Sequence, residues 1–429
     1  MESPTARPAR RGRHADVRRA LTTGLAVLAV AFHLAATAQP AAAQAYRRPL
    51  QRLADPQELA EPRRAPFTIT PSITIAEEYN DNVLLNNDNK QWDFITFFTP
   101  GIAVEAEGPT YRLVGSYYFT SEIYARESRR SHAFDRHNLE LDALYRLDPR
   151  TTLTLTDALV FDTNTNLIAP EGVATGRDRA WGNTLSPGVS WQADPRTTLR
   201  GGASWSVLRF DSAELIDSDV YRAFVAVDRA VTPRLTGSLS YEYNFFDIER
   251  QQNAHAHIPR VGATYRFTPT LTGSLAVGPI VEIFEDDETR ITPAVTAGLR
   301  QRMPWGAVGL LYDRSLGTGG GLGGPTENQT IGAFVEVTTL MRGLTIDVGP
   351  RYSIVESARG NAIDVESFTF PVTATYRVTP WLAFVGSYIF FHQRSDSVVI
   401  TSSGTAIASD VDQNRVWVGV QLGYPIRFD

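Results

Sequence analysis

The stretch Thr232-Pro233-Arg234-Leu235-Thr236-Gly237-Ser238-Leu239-Ser240-Tyr241-Glu242-Tyr243-Asn244-Phe245 decides the fold of this chain. It opens on a turn dipeptide and continues as an alternation. Leu235, Leu239, Tyr241, Tyr243 and Phe245 share one parity, while Ser238, Ser240, Glu242 and Asn244 share the other. Side chains of an extended chain point by turns to opposite faces, so such a strand has one face suited to hydrocarbon and one suited to water. A strand of about ten residues is also the length that a tilted bilayer crossing needs.

The same unit recurs along the chain. Turns fall at Gly108-Pro109, Asp148-Pro149, Asp194-Pro195, Thr232-Pro233, Thr268-Pro269, Met303-Pro304, Arg342-Gly343 and Thr379-Pro380, spaced 35 to 46 residues apart. Each interval holds two such strands and one variable loop. Alternation begins at Phe67, with Phe67, Ile69, Ile73 and Ile75 against Thr68, Thr70, Ser72 and Thr74. It returns in Leu139, Leu141, Ala143, Tyr145 and Leu147 against Asn138, Glu140, Asp142 and Arg146. Near the end Val416, Val418, Val420, Leu422, Tyr424, Ile426 and Phe428 alternate with Arg415, Gln421 and Arg427.

Eight short turns joining nine hairpins predict an all-β, transmembrane, antiparallel up-and-down barrel of about eighteen strands, with both termini periplasmic. Strand 5 fits least well, because Asp157 falls on the apolar parity, so sixteen or twenty strands also satisfy the pattern. The longer connections, near 80–92, 125–135, 163–181, 317–328 and 396–412, then lie outside the cell. A soluble sandwich alternates too, but its strands usually run shorter. Aromatics gather toward strand ends at Tyr117 to Phe119, Tyr241 to Phe246, Trp381 and Phe390-Phe391. Such residues fit the two interfacial girdles of a membrane barrel.

The N-terminus supplies a compartment. Arg7, Arg10, Arg11, Arg13, Arg18 and Arg19 precede an apolar stretch from Ala20 to Ala38, and small residues follow at Ala41, Ala43 and Ala45. This predicts a secretory signal peptide over 1–43, cut near Ala43 or Ala45, and the outer membrane of a Gram-negative bacterium as destination. Residues 44–66 lack apolar periodicity and read as a disordered periplasmic extension, leaving 67–429 for the barrel. Cysteine is absent from the 429 residues, which excludes disulfides, thiolate metal sites and a lipidated N-terminal cysteine. Removing 1–43 leaves 35 basic against 45 acidic residues, a net charge of −10 that excludes nucleic acid as a natural partner.

The C-terminal octet Gln421-Leu422-Gly423-Tyr424-Pro425-Ile426-Arg427-Phe428 resembles the signal read by barrel assembly machinery, carried by Gln421, Gly423, Ile426 and Phe428, although Asp429 displaces the aromatic from the last position. The segment Tyr79-Asn80-Asp81-Asn82-Val83, followed by Asp93-Phe94-Ile95-Thr96 and Pro100-Gly101, resembles the opening of a family of outer-membrane β-barrel porins often found with exopolysaccharide biosynthesis and export genes. The resemblance implies a porin-like barrel that passes polysaccharide outward. It implies as partners outer-membrane lipid and lipopolysaccharide, the assembly machinery and periplasmic polysaccharide-export proteins.

Candidate chemistry is sparse. Arg112, Arg146, Arg222, Arg266, Arg300, Arg351, Arg377 and Arg415 read as lumen-facing, as do Glu122, Glu140, Asp142, Asp228, Glu242, Asp347 and Glu366. A lumen wall is polar in any case, and both signs are present, so no ion preference follows. Glu285-Asp286-Asp287-Glu288 has carboxylates enough for a divalent cation but lacks calcium-loop spacing, so a solvated loop is the plainer reading. His255 and His257 share a strand face without a third metal ligand. Asp81 with Asn80 and Asn82 offers cation oxygens or, more simply, a turn built by its own side chains. Gly317-Thr318-Gly319-Gly320-Gly321-Leu322-Gly323-Gly324 lacks the lysine and helix of a phosphate cradle and reads as an outer loop able to fold inward. His132 and His137 are the histidines a barrel hydrolase would use, yet no nucleophile motif joins them to a serine, so no enzyme, cofactor or metal is expected. The expected function is a channel for hydrophilic solute, extended by the resemblance to polysaccharide export. Its alternative is a non-conducting barrel that scaffolds an export machine.

Overall fold

The computed structural model describes residues 66–164, 172–177, 179–286, 288–359, 363–395, 399–400, 406–407 and 410–428. The expected signal peptide, nearly all of the extension and Asp287 lie outside them. The strands are β1 (Phe67–Asn80), β2 (Asp93–Glu107), β3 (Tyr111–Tyr124), β4 (His132–Arg146), β5 (Thr151–Asp162) and β6 (Ala180–Asp194). Then come β7 (Thr197–Phe210), β8 (Ser218–Ala230), β9 (Leu235–Ile248), β10 (Ala254–Arg266), β11 (Leu271–Phe284) and β12 (Thr289–Met303). The circuit is completed by β13 (Gly306–Gly317), β14 (Thr326–Val337), β15 (Leu344–Val348 continued by Arg351–Ser357), β16 (Asp364–Thr379), β17 (Leu382–Ser395) and β18 (Val411–Gly423 continued by Ile426–Phe428).

Every strand pairs antiparallel with the next, and β18 returns to β1 through partners running from Ser72 and Gly423 to Asn80 and Arg415. The barrel of eighteen strands is therefore closed, which leaves no sheet edge at its seam. All eight short turns join strands at one end. Phe67 and Phe428, paired with rings 5.5 Å apart, lie at that same end. Proline removes a ladder donor, and the strand pairing skips at Pro100, Pro187 and Pro259. At Gly349-Pro350 in β15 the ladder is kept by Ala333 N–H donating to Pro350 O at 2.9 Å and Gly349 N–H to Pro371 O at 3.2 Å.

Strand alternation sorts side chains as read from the sequence. Leu239, Val261 and Val418 face outward and are 63, 60 and 62% exposed, far more than soluble packing would leave. Rings flank this apolar belt. Tyr79, Trp92 and Phe94 cluster toward the long-loop end, as do Phe161 with Trp181 and Trp205 with Tyr221. Trp191, Trp305 and Trp381 mark the short-turn end. Tyr118, Phe246 and Phe391, by contrast, turn inward and are buried, because neighbours on a strand cannot share a face. A closed barrel with an apolar outside, aromatic girdles and a polar inside is the architecture of the bacterial outer membrane.

One irregularity shapes the interior. Pairing of β12 with β13 ends at Val295 and Arg314, whereas β12 continues along β11 to Thr289 and β13 continues along β14 to Gly317. Beyond that point β13 parts from β12 and, still paired to β14, bends inward. Leu316 packs among Val220, Phe246, Ile258, Ile280 and Phe284, residues on the inward parity of β8 to β11.

Candidate functional site

The inner wall is the surface on which chemistry can act. Register places Arg112, Glu140, Asp142, Arg146, Arg222, Asp228, Glu242, Arg266, Arg300, Asp347, Arg351, Arg377, Glu122 and Arg415 on the inward face. Glu366 is a correction. Its neighbours Val365 and Ser367 are buried inward, so Glu366 faces out, near Tyr352 and Arg394. Period two forbids Glu366 and Arg377 from sharing a face of one strand without an intervening bulge, and the register is continuous between them.

Depth divides the inward charges. Arg112, Arg146, Arg266 and Arg300 are solvent-exposed toward the short-turn end, while Glu122 and Arg415 are buried toward the long-loop end. Several inward charges are paired. Arg136 bridges Glu122 and Asp162, with its Nη2 2.9 Å from Asp162. Arg200 Nε reaches Asp228 at 2.6 Å, and Arg260 reaches Glu242 at 3.3 Å. Arg290 lies 3.5 Å from Glu282 and 2.5 Å from Glu327, which also binds Arg314. In a site of low dielectric an unpaired charge is costly, which favours opposed charges facing one another across the wall. Arg136, Glu78 and Asp162 were within reach of the parity rule that found Glu122. Arg314 and Glu327 were not, because their placement depends on the parting of β13 from β12.

Loop segments pack into the long-loop half of the lumen, among them residues 172–177 and 317–324. Residues 172–177 cross the interior: Arg177 hydrogen-bonds Tyr124 of β3, while Ala174 exchanges two bonds with Gln393 of β17, at 2.7 and 2.9 Å. Val173 packs with Val355, Ile363 and Val365. The glycine-rich segment does fold inward. Gly319, Gly320 and Gly321 are buried, and Ile216 N–H donates to Gly321 O at 2.9 Å. Gly321 has φ +96°, and a Cβ there would sit 2.6 Å from the Phe210 ring, so glycine is required twice over.

The remaining candidates have structural employment. Asp286 and Glu288 bind Arg359 at 2.7 and 2.9 Å, tying two long loops together, and the Arg359 guanidinium holds the exposed Asp286 carboxyl below the usual range. His255 and His257 lie on the outer face, each hydrogen-bonded to a tyrosine hydroxyl at 2.7 Å, Tyr243 and Tyr241 respectively. His137 meets Tyr117 at 3.0 Å and His132 meets Asp135 at 2.9 Å. Among the described residues no three His, Asp or Glu side chains are grouped to hold a metal. Asp81 takes Asn414 N–H and Nδ2 at 2.7 Å each, and Asn82 Nδ2 donates to Asp412 O at 3.0 Å, so the first-loop motif fastens β1 to β18. Gln421 faces inward and is buried, and Ile426 and Phe428 pair with Ile69 and Phe67.

No model of a known protein family matches the sequence, and no curated protein matches it significantly. Among solved structures the chain is similar to OccK8 (OprE) of Pseudomonas aeruginosa, at 14% identity over 84% of this chain and 98% of that one, with TM-score 0.44. It is similar to OccAB4 of Acinetobacter baumannii at 14% identity, over 85% and 100%, with TM-score 0.41. The outer membrane protein OpdK of Pseudomonas aeruginosa gives 12% identity over 83% and 99%, with TM-score 0.42. Likeness of this degree transfers no function to this chain.

Proposed function

We propose that this closed, outwardly apolar and inwardly charged barrel is an outer-membrane, porin-like channel for hydrophilic solute. The observation that carries the reading is the inner face, where charged side chains line a barrel of eighteen strands, a size that leaves room for an aqueous path. Segments 172–177 and Gly317-to-Gly324 narrow that path toward the long loops, and the exposed arginines at the other end meet solute first from that side. Diffusion guided by fixed charges needs no bond making or breaking. The first-hairpin resemblance extends the reading to a saccharide as solute and to lipopolysaccharide, assembly machinery and export proteins as partners. Those finer statements rest on that resemblance alone. Purified, refolded protein in planar bilayers should show discrete conductance steps that saccharide fragments block; a folded barrel without steps would overturn the channel.

The two hydrogen bonds that seat Ala174 on Gln393 also favour a second reading, a plugged barrel that scaffolds other components. Deleting residues 44–66 separates the two. Loss of partner capture with barrel assembly intact supports the scaffold, and unchanged capture with open conductance supports the channel.

A further inference from the structure

A carboxylate stands on the outer wall in the middle of the apolar band, where lipid tails would be. Asp157 of β5 faces outward between Leu155 and Leu159, with Leu141 and Leu185 as its cross-strand partners. It lies four residues from Phe161 in one girdle and six from Thr151, the partner of Trp191 in the other. At about 3.3 Å per residue and a tilt of about 40°, Asp157 is roughly 10 Å inside the nearer girdle of a band about 25 Å tall. Its carboxylate accepts one hydrogen bond, from Asn183 Nδ2 at 3.0 Å, and Asn183 also faces outward, on β6. Glu77 and Asp219, outward carboxylates as well, differ in depth: they sit toward the long-loop end beside Tyr79 and Trp205. An ionisable side chain in the middle of the band is costly against lipid and marks a contact.

We propose that this face is buried against a second copy of the chain, in a two-fold dimer of barrels centred on Asp157 and Asn183. The pair is self-complementary. Asn183 has a second N–H and Asp157 a second oxygen, so a two-fold axis through the patch lets each Asn183 donate to its own Asp157 and to that of the other copy. A lipid tail offers neither donor nor acceptor. Next to the pair the outer wall carries the stacked Trp205 and Tyr221, and it falls away toward the short-turn end, where Ala203 and Ala223 are paired across β7 and β8 with Gly201 next along the face. Small side chains there let two walls approach closely. The proposal rests on the barrel being membrane-embedded.

The chain has no cysteine, so an introduced one reports without background. In outer membranes of cells making the full chain, Leu185→Cys, beside the pair, is oxidised with copper phenanthroline and compared with Leu239→Cys on the outer face of β9. Heat-dependent gel mobility and membrane fractionation report folding and insertion separately from cross-linking, so failure of the membrane reading is told apart from failure of the dimer. A disulfide-linked dimer from Leu185→Cys alone, lost when Asp157→Leu is added, is the expected result; Asn183→Leu gives the same test if that variant does not fold. An inserted barrel that forms no Leu185→Cys dimer overturns the proposal and leaves lipid over the carboxylate. Equal cross-linking through Leu239→Cys, or a dimer that survives both leucine substitutions, overturns it as well.

Discussion

Glu78 of β1 and Arg415 of β18, 337 positions apart in sequence, form a buried two-bonded ion pair across the seam that closes the barrel, with Nε and Nη2 donating to the two carboxylate oxygens at 3.0 and 2.8 Å. Asn80 Nδ2 adds a bond to the same carboxylate at 3.2 Å, and Gln413 Nε2 reaches Asn80 Oδ1 at 3.1 Å. Contact between the first and last strands closes the longest loop in the barrel and so carries the largest closure entropy. A polar network at that place favours one register, because a one-residue slip would turn Glu78 outward and leave Arg415 buried alone.

Removing one partner should therefore hurt more than removing both. Arg415→Met leaves an uncompensated buried carboxylate and is expected to destabilise the barrel by about 3–5 kcal/mol. Glu78→Met combined with Arg415→Met should cost less than that single change. Urea unfolding of the refolded protein, with the two single variants and the double, measures the coupling. Equal losses in single and double variants would show that packing, not charge, governs the seam.

Strand number, turn positions and barrel closure were legible because period two and turn chemistry are local properties. The reading of Asp157 as a flaw in strand 5 was itself informative: the strand forms, and the residue faces out as its parity says. Glu366 shows the limit of listing charges without tracking register along one strand. The lumen contents were largely illegible. That Ala174 meets Gln393, and that Leu316 tucks under β8 to β11, depends on long-range contacts with no local signal. Only the glycines of Gly317-to-Gly324 hinted at their inward path, through the backbone freedom they permit.

Gln393 anchors the crossing segment by two bonds to the Ala174 backbone, each worth about 1 kcal/mol. Gln393→Ala should leave barrel stability nearly unchanged while loosening residues 172–177. In planar bilayers the expected change is a larger and noisier open-state conductance. Unaltered conductance would place the narrowest point elsewhere.

Gly321 offers an independent lever on the same half of the lumen. Leucine there meets both the positive φ and the Phe210 ring, a strain of about 1–3 kcal/mol that falls on the segment, not on the wall. Gly321→Leu is expected to fold as a barrel yet expose 317–324 to protease, with cleavage mapped by mass spectrometry. Protection equal to the parent would mean that the neighbouring loops absorb the side chain.

Arg359 joins three long loops at the mouth, through Asp286, Glu288 and Gln252 Oε1, the last at 2.9 Å. The groups are exposed, so the clasp weakens as salt screens it. Its pH dependence follows from Asp286, whose carboxyl is held low first by the hydrogen bond from Arg359. A lowered carboxyl contributes while ionised, above its unfolded-chain value, and its contribution is lost as pH falls through the still lower folded value. Protease sensitivity of the loops around 253 and 286 should thus be flat from neutral pH down to the ordinary aspartate range and rise only below it, whereas Arg359→Ala should be sensitive throughout. Raising salt at neutral pH should move the parent protein toward the variant. A rise already at pH 6 would assign the clasp to a histidine in place of Asp286.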